Sequence, residues 1–191
     1  EAAGREQEPT RTALRFLPLA GLRISEVCRL ELDDVRVEAI EAPPGRGFIV
    51  RVRDAKGEKD RDVPIFPDAA PILRGYLIDV RPKLPSTPAW VPPKRANEQV
   101  ARPGPALFPG LNPKKAQATI RELRSRCGAP ELTAHDFRHD FATRLTRAGF
   151  STKEVGTILG HASLNTTAKY IHMNNEDTFR RMAGISTPWA K

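Results

Sequence analysis

Apolar residues recur at helical spacing near the start of the sequence. The pattern over 10–20 predicts a helix that ends at Gly21, and Pro18, late in that helix, should end or kink it. Ser25 can cap a second, short helix that runs to Leu30. This part of the sequence therefore predicts two short helices joined by a tight turn.

The middle of the chain contains short runs that are typical of β-strands. Strands are predicted at 35–41, 48–53 and 61–66. The charged segment 54–60 joins the last two runs as a β-hairpin with a longer loop. A helix is predicted over 69–81. The proline-rich stretch 82–113 is expected to be a long surface connection with little regular structure.

The last third is predicted to be helical again. A helix over 114–127 places apolar residues on one stripe and basic residues on another face. The next helix is capped by Thr133 and runs to about Ala148. A Ser-x-x-Glu capping box at 151–154 begins a short helix, and a final short helix holds Tyr170.

Composition narrows the range of partners. Of the 191 residues, 39% are hydrophobic and 28% are charged, which is typical of a folded domain. The net charge of +8 favours a polyanion, most often nucleic acid, although an ordinary basic surface would give the same value. Cys28 and Cys127 are too few for a disulfide framework or a zinc site, and both are expected to be buried free thiols. No signal peptide or membrane-spanning run is evident, so we expect a cytoplasmic protein.

Several polar residues could carry chemistry, although each has an ordinary structural explanation when taken alone. His135 and Arg138 lie three positions apart and therefore project from neighbouring parts of one helix face. Tyr170 could act as a nucleophile only if its neighbours activate it, since the free phenol has a pKa of about 10. Arg23 can equally be a surface arginine or a partner of Glu26.

Four blocks of sequence change this picture through their order. They are GLRISEV at 21–27, AKGEKDRDVPI at 55–65, LTAHDFRHDFAT at 132–143 and LGHASLNTTAKY at 159–170. Their order resembles the tyrosine recombinase (phage integrase) family over most of the chain. The last two blocks are long and specific, so coincidence is a poor explanation for all four.

The resemblance implies that matching residues cleave and rejoin DNA. Arg23 and Arg138 would grip the non-bridging oxygens of the scissile phosphate, because the planar guanidinium matches phosphate geometry. Lys56 would be the general acid that protonates the departing 5′ oxygen. Lys59 is the alternative acid if the register of the hairpin differs.

Two histidines and the tyrosine complete the site that the resemblance implies. His135 would assist proton transfer and hold the phosphate, and His161 would donate a hydrogen bond to a phosphate oxygen. Tyr170 would form a 3′-phosphotyrosyl bond and release a 5′ hydroxyl, and attack by the 5′ hydroxyl of a second strand would reverse the step. Bond energy is kept in the adduct, so no metal, ATP or other cofactor is expected.

The resemblance also implies a fold, a domain and partners. We expect a mostly helical α+β fold with a small antiparallel three-stranded sheet on one side. Residues 1–191 would be the catalytic domain alone, without the N-terminal DNA-clamping domain. Its tail, 174–191, would pack on a neighbouring protomer or, alternatively, on its own core. Double-stranded DNA would be bound by a monomer that joins a tetrameric synapse. The basic residues expected to contact DNA are Lys59, Lys114, Lys115, Arg121 and Arg124.

Two other functions remain open at this point. A type IB topoisomerase uses related chemistry without a partner strand, although the spacing of the blocks fits a recombinase better. A non-catalytic helix-turn-helix module is the second alternative, because two short helices are predicted around Gly160. Such a module would not require Arg23, Lys56 and Tyr170 together.

Overall fold

Helices surround one small sheet in the part of the chain that the structure describes. The structure is a computed structural model and describes residues 8–39, 46–53, 60–67, 70–92, 104–160, 175–183 and 185. The helices are α1 (Thr10–Ala20), α2 (Ile24–Arg29), α3 (Ala70–Gly75), α4 (Pro113–Arg126), α5 (Ala134–Arg147), α6 (Thr152–Leu159) and α7 (Asn175–Ala183). The strands are β1 (Val35–Ala39), β2 (Arg46–Val52) and β3 (Arg61–Pro64). The expected mostly helical fold with a small three-stranded sheet is confirmed.

The turn between α1 and α2 depends on a glycine. α1 passes through Pro18 and ends at Gly21, whose φ is 61° and whose N–H donates to the carbonyl of Leu17 at 3.2 Å. A Cβ atom at this position would lie 2.4 Å from the Phe141 ring, so glycine is required by space as well as by φ. The predicted stop at Gly21 is confirmed. Pro18 does not end the helix, which continues to Ala20.

The predicted cap of α2 is wrong. Ser25 lies inside the helix, and Arg23 is the residue that precedes it in extended conformation. The Arg23 N–H donates to the Glu26 carboxylate at 2.7 Å, so the acidic residue in the first turn satisfies the helix end in place of a serine hydroxyl. This exchange places Arg23 at a helix terminus beside a buried carboxylate.

The sheet is antiparallel, with strand order β1-β2-β3. Val50 in the central strand lies opposite Val35 on one side and Val63 on the other. Val50 and Val63 are fully buried, and β3 contacts α6. The three predicted strands are confirmed with slightly different ends. Of the predicted hairpin loop, 54–60, residues 54–59 lie outside the described residues.

The segment predicted as one helix over 69–81 is interrupted. After α3 the chain forms a π-helical turn at Tyr76–Val80 and a 3₁₀ turn at Arg81–Lys83. The Tyr76 hydroxyl donates to the carbonyl of Leu107 at 2.7 Å, and Arg81 donates twice to the carbonyl of Ala106 at 2.9 and 3.0 Å. These contacts are made to a distant segment, which a local helical pattern cannot reveal.

Part of the proline-rich stretch lies in the core. Leu107, Phe108 and Leu111 are buried, contrary to the expected surface connection. The Phe108 ring contacts those of Phe16 and Tyr76, with centroids 5.9 and 5.3 Å apart. These apolar residues bury their surface although many prolines precede them in the sequence.

Two helices of the last third, α5 and α6, begin where their predicted caps lie. The Thr133 side chain accepts from the His135 N–H at 3.2 Å, and Ser151 and Glu154 form the expected capping box. Cys28 is buried as predicted, whereas Cys127 is exposed because it follows the last turn of α4 and lies outside the core.

α7 packs on the core of its own chain. Met182 is fully buried, and the Arg181 guanidinium lies 3.7 Å from the centroid of the Phe150 ring. Arg181 also donates to the Glu154 carboxylate at 2.6 Å and to the carbonyl of Gly149 at 2.9 Å. Within the described residues, no helix has the length and apolar character needed to cross a bilayer.

Candidate active site

A cleft of about 490 Å³ lies where the turn before α2, the basic face of α4 and the first turn of α5 meet. It is lined by Arg23 from the turn and by His135 and Arg138 from α5. Arg23 is distant in sequence from His135 and Arg138, yet all three predicted site residues share one open space. The fold therefore assembles this part of the predicted site.

Arg138 is a buried cation held by two helix ends. Its side chain is 5% exposed, and Arg138 belongs to the buried stripe of α5 that also includes Phe141 and Leu145. Its Nη1 donates to the carbonyl of Gly21 at 2.8 Å, and its Nη2 donates to the carbonyl of Leu159 at 2.6 Å. Both carbonyls lie at helix C-termini, where the backbone is partially negative and stabilises a cation.

Glu26 is the carboxylate around which the arginines gather. Its Oε1 accepts from Arg23 Nη1 at 3.0 Å and from Arg61 Nη2 at 2.9 Å. Its Oε2 accepts the Arg23 N–H and lies 3.9 Å from Arg138 Nη1. Glu26 is 5% exposed, so the carboxylate itself lies largely out of water, while Arg23 reaches it from the surface. Three guanidinium groups thus face one carboxylate, and positive charge is in excess.

The pKa values follow from this crowding. Burial alone would raise the pKa of Glu26, but the charges of Arg61 and Arg23 and the hydrogen bond from the Arg23 N–H outweigh burial and hold it below its ordinary value. Burial lowers the pKa of Arg138 to about 10, and repulsion from Arg23 and Arg61 adds to the effect while Glu26 opposes it. Arg138 stays protonated at neutral pH, in a position that would gain from another anion.

His135 lies in the first turn of α5 and is exposed to the cleft. The cap at Thr133 fixes the start of the helix, and the next turn carries Arg138 toward the core. The positive end of the helix macrodipole points in the same direction. The H-x-x-R spacing therefore presents one exposed imidazole and one buried guanidinium to the same space.

The basic face of α4 forms the opposite wall. Arg121 and Arg124 both line the cleft, and Arg124 also donates to the carbonyl of Leu132 at 3.5 Å. Lys114 and Lys115 are exposed at the start of the same helix and do not line the cleft. Of the predicted DNA-contacting residues, the structure brings two to the site and leaves these two beside it.

Lys56, Lys59, His161 and Tyr170 lie outside the described residues. Their predicted roles stay predictions. The same holds for the second half of the helix-turn-helix that was predicted around Gly160.

Arg61 is a site residue that sequence reasoning missed. It was assigned only to a strand, yet its side chain is 13% exposed and bonded to Glu26. Alternation along β3 could have indicated this, because Arg61 and the buried Val63 are two positions apart and so lie on one face. Within the described part of the chain, no group of three or more His, Cys, Asp or Glu side chains could hold a metal ion.

Comparison with known proteins points to one family. The sequence profile of the phage integrase family matches residues 2–177. Tyrosine recombinase XerC of Mycobacterium leprae is 34% identical over 169 residues, which cover 85% of this chain and 49% of the relative. Tyrosine recombinase XerA of Pyrococcus furiosus is 32% identical over 151 residues, which cover 78% of this chain and 45% of the relative. The chain spans about half the length of these curated relatives.

Solved structures share the fold. A crystal structure of XerA recombinase superposes with a TM-score of 0.60 and 24% identity, covering 98% of this chain and 56% of that one. A structure of XerH site-specific recombinase bound to difH substrate, a pre-cleavage complex, gives a TM-score of 0.59 and 22% identity, covering 93% and 48% of the two chains. At these identities the likeness concerns the fold.

Proposed function

Because the chain belongs to the phage integrase family, we propose that it is the DNA-cleaving part, over 1–191, of a site-specific recombinase. The reaction breaks and rejoins duplex DNA through a 3′-phosphotyrosyl bond. The observation that supports this best is the cleft, where Arg23 meets His135 and Arg138, which lie more than a hundred positions later in the sequence.

Excess positive charge makes the cleft suited to a phosphodiester. Arg23, Arg61 and Arg138 surround a single carboxylate. Burial is the main cause of the lowered pKa of Arg138, and repulsion from Arg23 and Arg61 adds to it. A phosphate in the cleft would offset that repulsion and gain charge-assisted hydrogen bonds from the guanidinium groups. The first turn of α5 adds the positive end of a helix to the same wall.

The chemistry then divides among named residues. Arg23 and Arg138 hold the non-bridging oxygens and stabilise the negative charge that those oxygens carry in the transition state. His135 assists proton transfer. Tyr170 attacks the phosphorus and Lys56, or Lys59 as its alternative, protonates the departing 5′ oxygen.

The reverse reaction uses the same groups. The 5′ hydroxyl of another strand attacks the phosphotyrosyl phosphorus, and Tyr170 leaves with a proton. His161 donates a hydrogen bond to a phosphate oxygen in both directions. The phosphotyrosyl bond replaces the phosphodiester without hydrolysis, so its energy is available for rejoining the strand. This scheme therefore needs no ATP, and no metal takes part in it.

DNA would lie along the basic wall of the cleft. Arg121 and Arg124 line that wall, and Lys114 and Lys115 extend the positive charge along α4. We propose that these residues contact phosphates other than the scissile one. We propose also that the protein meets its DNA in the cytoplasm. A monomer would bind first and then join a tetrameric synapse in which strands are exchanged.

Covalent capture tests this function. The chain is incubated with a pool of nicked suicide duplexes, randomised around the nick, and adducts that survive denaturation are digested and mapped. We expect the modified residue to be Tyr170 and the Tyr170→Phe variant to bind DNA without forming an adduct. Adduct formation by Tyr170→Phe would contradict the proposal, as would a wild-type protein that binds DNA and forms none.

The chain offers a matched control, because its other tyrosine is Tyr76. The hydroxyl of Tyr76 is buried and bonded to the carbonyl of Leu107. Tyr76→Phe loses that bond but should still form the adduct. A second labelled duplex distinguishes the family's strand exchange from a topoisomerase, which would reseal the original strand only.

A further inference from the structure

Arg61 joins three elements that surround the cleft without lining the cleft itself. It begins β3, donates through Nη2 to Glu26 of α2 at 2.9 Å, and donates through Nε to the carbonyl of Ile158 in α6 at 3.1 Å. The two hydrogen bonds start from one guanidinium group and reach two different elements. A planar fork can make both at once, whereas a single ammonium group cannot keep this geometry.

The end of α6 is shaped to admit this side chain. Gly160 has a φ of 70°, and a Cβ built on it would lie 2.8 Å from both Cζ and Nη1 of Arg61. That separation is too short for non-bonded atoms, so any side chain at this position would displace the guanidinium. The two hydrogen bonds therefore hold Arg61 in one place, and the lack of a Cβ at Gly160 leaves the room that its guanidinium needs there.

One partner of Arg61 is shared with Arg23, and the other is adjacent in sequence to a partner of Arg138. Glu26 Oε1, which it contacts, also accepts from Arg23 Nη1 at 3.0 Å. The carbonyl after Ile158 is that of Leu159, which accepts from Arg138 Nη2 at 2.6 Å. A shift of Arg61 would thus move the carboxylate that orients Arg23 and the helix end that orients Arg138.

We propose that Arg61 is a positioning residue for the cleavage step. It sets the spacing of Arg23 and Arg138 through Glu26 and the end of α6, and it acts on the scissile phosphate only through them. This inference rests on the proposed function. Misplacing a charge donor by about 1 Å can slow an enzymatic step by about 100-fold while leaving substrate binding largely intact.

The test separates the chemical step from binding. Arg61→Lys keeps the charge but loses the fork, and Gly160→Ala inserts the Cβ that displaces Arg61. With saturating protein and a nicked suicide duplex selected by covalent capture, we expect each variant to form the adduct about 10- to 100-fold more slowly. The dissociation constant for the same DNA should stay within about threefold of the wild-type value.

Gly149→Ala is the matched control for backbone strain. Gly149 also has a positive φ, 84°, but a Cβ there would meet nothing within 4 Å. It should cleave at the wild-type rate, with circular dichroism confirming the folded fraction of every variant.

The possible outcomes distinguish the two claims. Cleavage by Arg61→Lys and Gly160→Ala within about threefold of wild type would overturn the inference. It would be overturned equally if their rates fell only in proportion to the unfolded fraction, or if Gly149→Ala slowed as much as Gly160→Ala. A wild-type protein that forms no adduct would overturn the proposed function instead, and the inference with it.

Discussion

Arg23 and Arg138 carry the same group in opposite surroundings. The Arg23 side chain is 49% exposed and contacts Glu26 from the surface, while that of Arg138 is 5% exposed and anchored to two backbone carbonyls. An exposed ion pair contributes less than about 1 kcal/mol to stability, whereas a buried donor leaves its partners unsatisfied when it is removed. The two residues should therefore differ in what they do for the fold.

Alanine substitution at each position tests this difference. We expect Arg23→Ala to lower the adduct-forming rate by about 10²- to 10³-fold with less than about 1 kcal/mol lost from the free energy of unfolding. Arg138→Ala should lower the rate at least as much and cost about 2–5 kcal/mol, because the carbonyls of Gly21 and Leu159 lose their donor. Urea unfolding and the suicide-substrate assay measure the two effects. Equal losses of stability, or a fall in rate below about tenfold, would contradict this assignment.

Among the elements, two predicted caps agree with the structure, and one long helical pattern does not continue as predicted. The caps at Thr133 and at Ser151 involve residues within one turn, and both are confirmed. The helix predicted over 69–81 changes pitch after Gly75, where side chains reach the distant backbone of Ala106 and Leu107. Tertiary contacts outweighed helix propensity there, and the sequence around the break does not indicate them.

The contact between α6 and α7 makes the free energy of unfolding depend on pH in the acidic range. The hydrogen bond from Arg181 and those from Ser151 lower the pKa of Glu154 from 4.5 to about 2. A lowered folded-state pKa means that the ionised carboxylate stabilises the fold above about pH 4.5 and that this contribution is lost as the pH falls from there toward 2.

Glu154→Gln should therefore lower the free energy of unfolding by about 1 kcal/mol at pH 7 and by progressively less below pH 4.5. Urea unfolding at several pH values measures the difference. Glu122→Gln is the control, since Glu122 is exposed on α4 and its contact with Arg126 is 3.7 Å long. A difference between Glu154→Gln and wild type that does not change with pH would show that the carboxylate charge is not what links the two helices.

For the whole molecule, part of the positive charge behind the net charge of +8 lies in the cleft. Arg23, Arg121, Arg124 and Arg138 line one cleft, with Glu26 as the carboxylate beside them. When a nucleic acid binds along this wall, the arginines would neutralise some of its phosphates and so release the counterions that surround them. Binding should therefore weaken steeply as salt is added.

Arg121→Gln tests the basic wall. If Arg121 contacts a phosphate, the slope of log K against log salt should become shallower by about one, with similar loss of affinity for unrelated DNA sequences. Arg74→Gln serves as the control, because Arg74 is exposed on α3 and does not line the cleft. Fluorescence anisotropy over a salt series measures both. An unchanged slope for Arg121→Gln, or an equal change for Arg74→Gln, would remove Arg121 from the DNA interface.

The order of the described helices and strands, and most of their ends, could be predicted from the sequence, as could the choice of Arg23, His135 and Arg138 as candidates that the structure brings to one cleft. Capping residues, hydrophobic period and short motifs indicate them, and each of these signals is local. The packing of distant elements was needed to show that Arg61 bonds to Glu26, that Arg138 is held by two helix ends, and that Leu107 and Phe108 enter the core. Those outcomes depend on which distant groups compete for the same buried carboxylate, carbonyl or apolar space, and that competition is settled only when the elements pack.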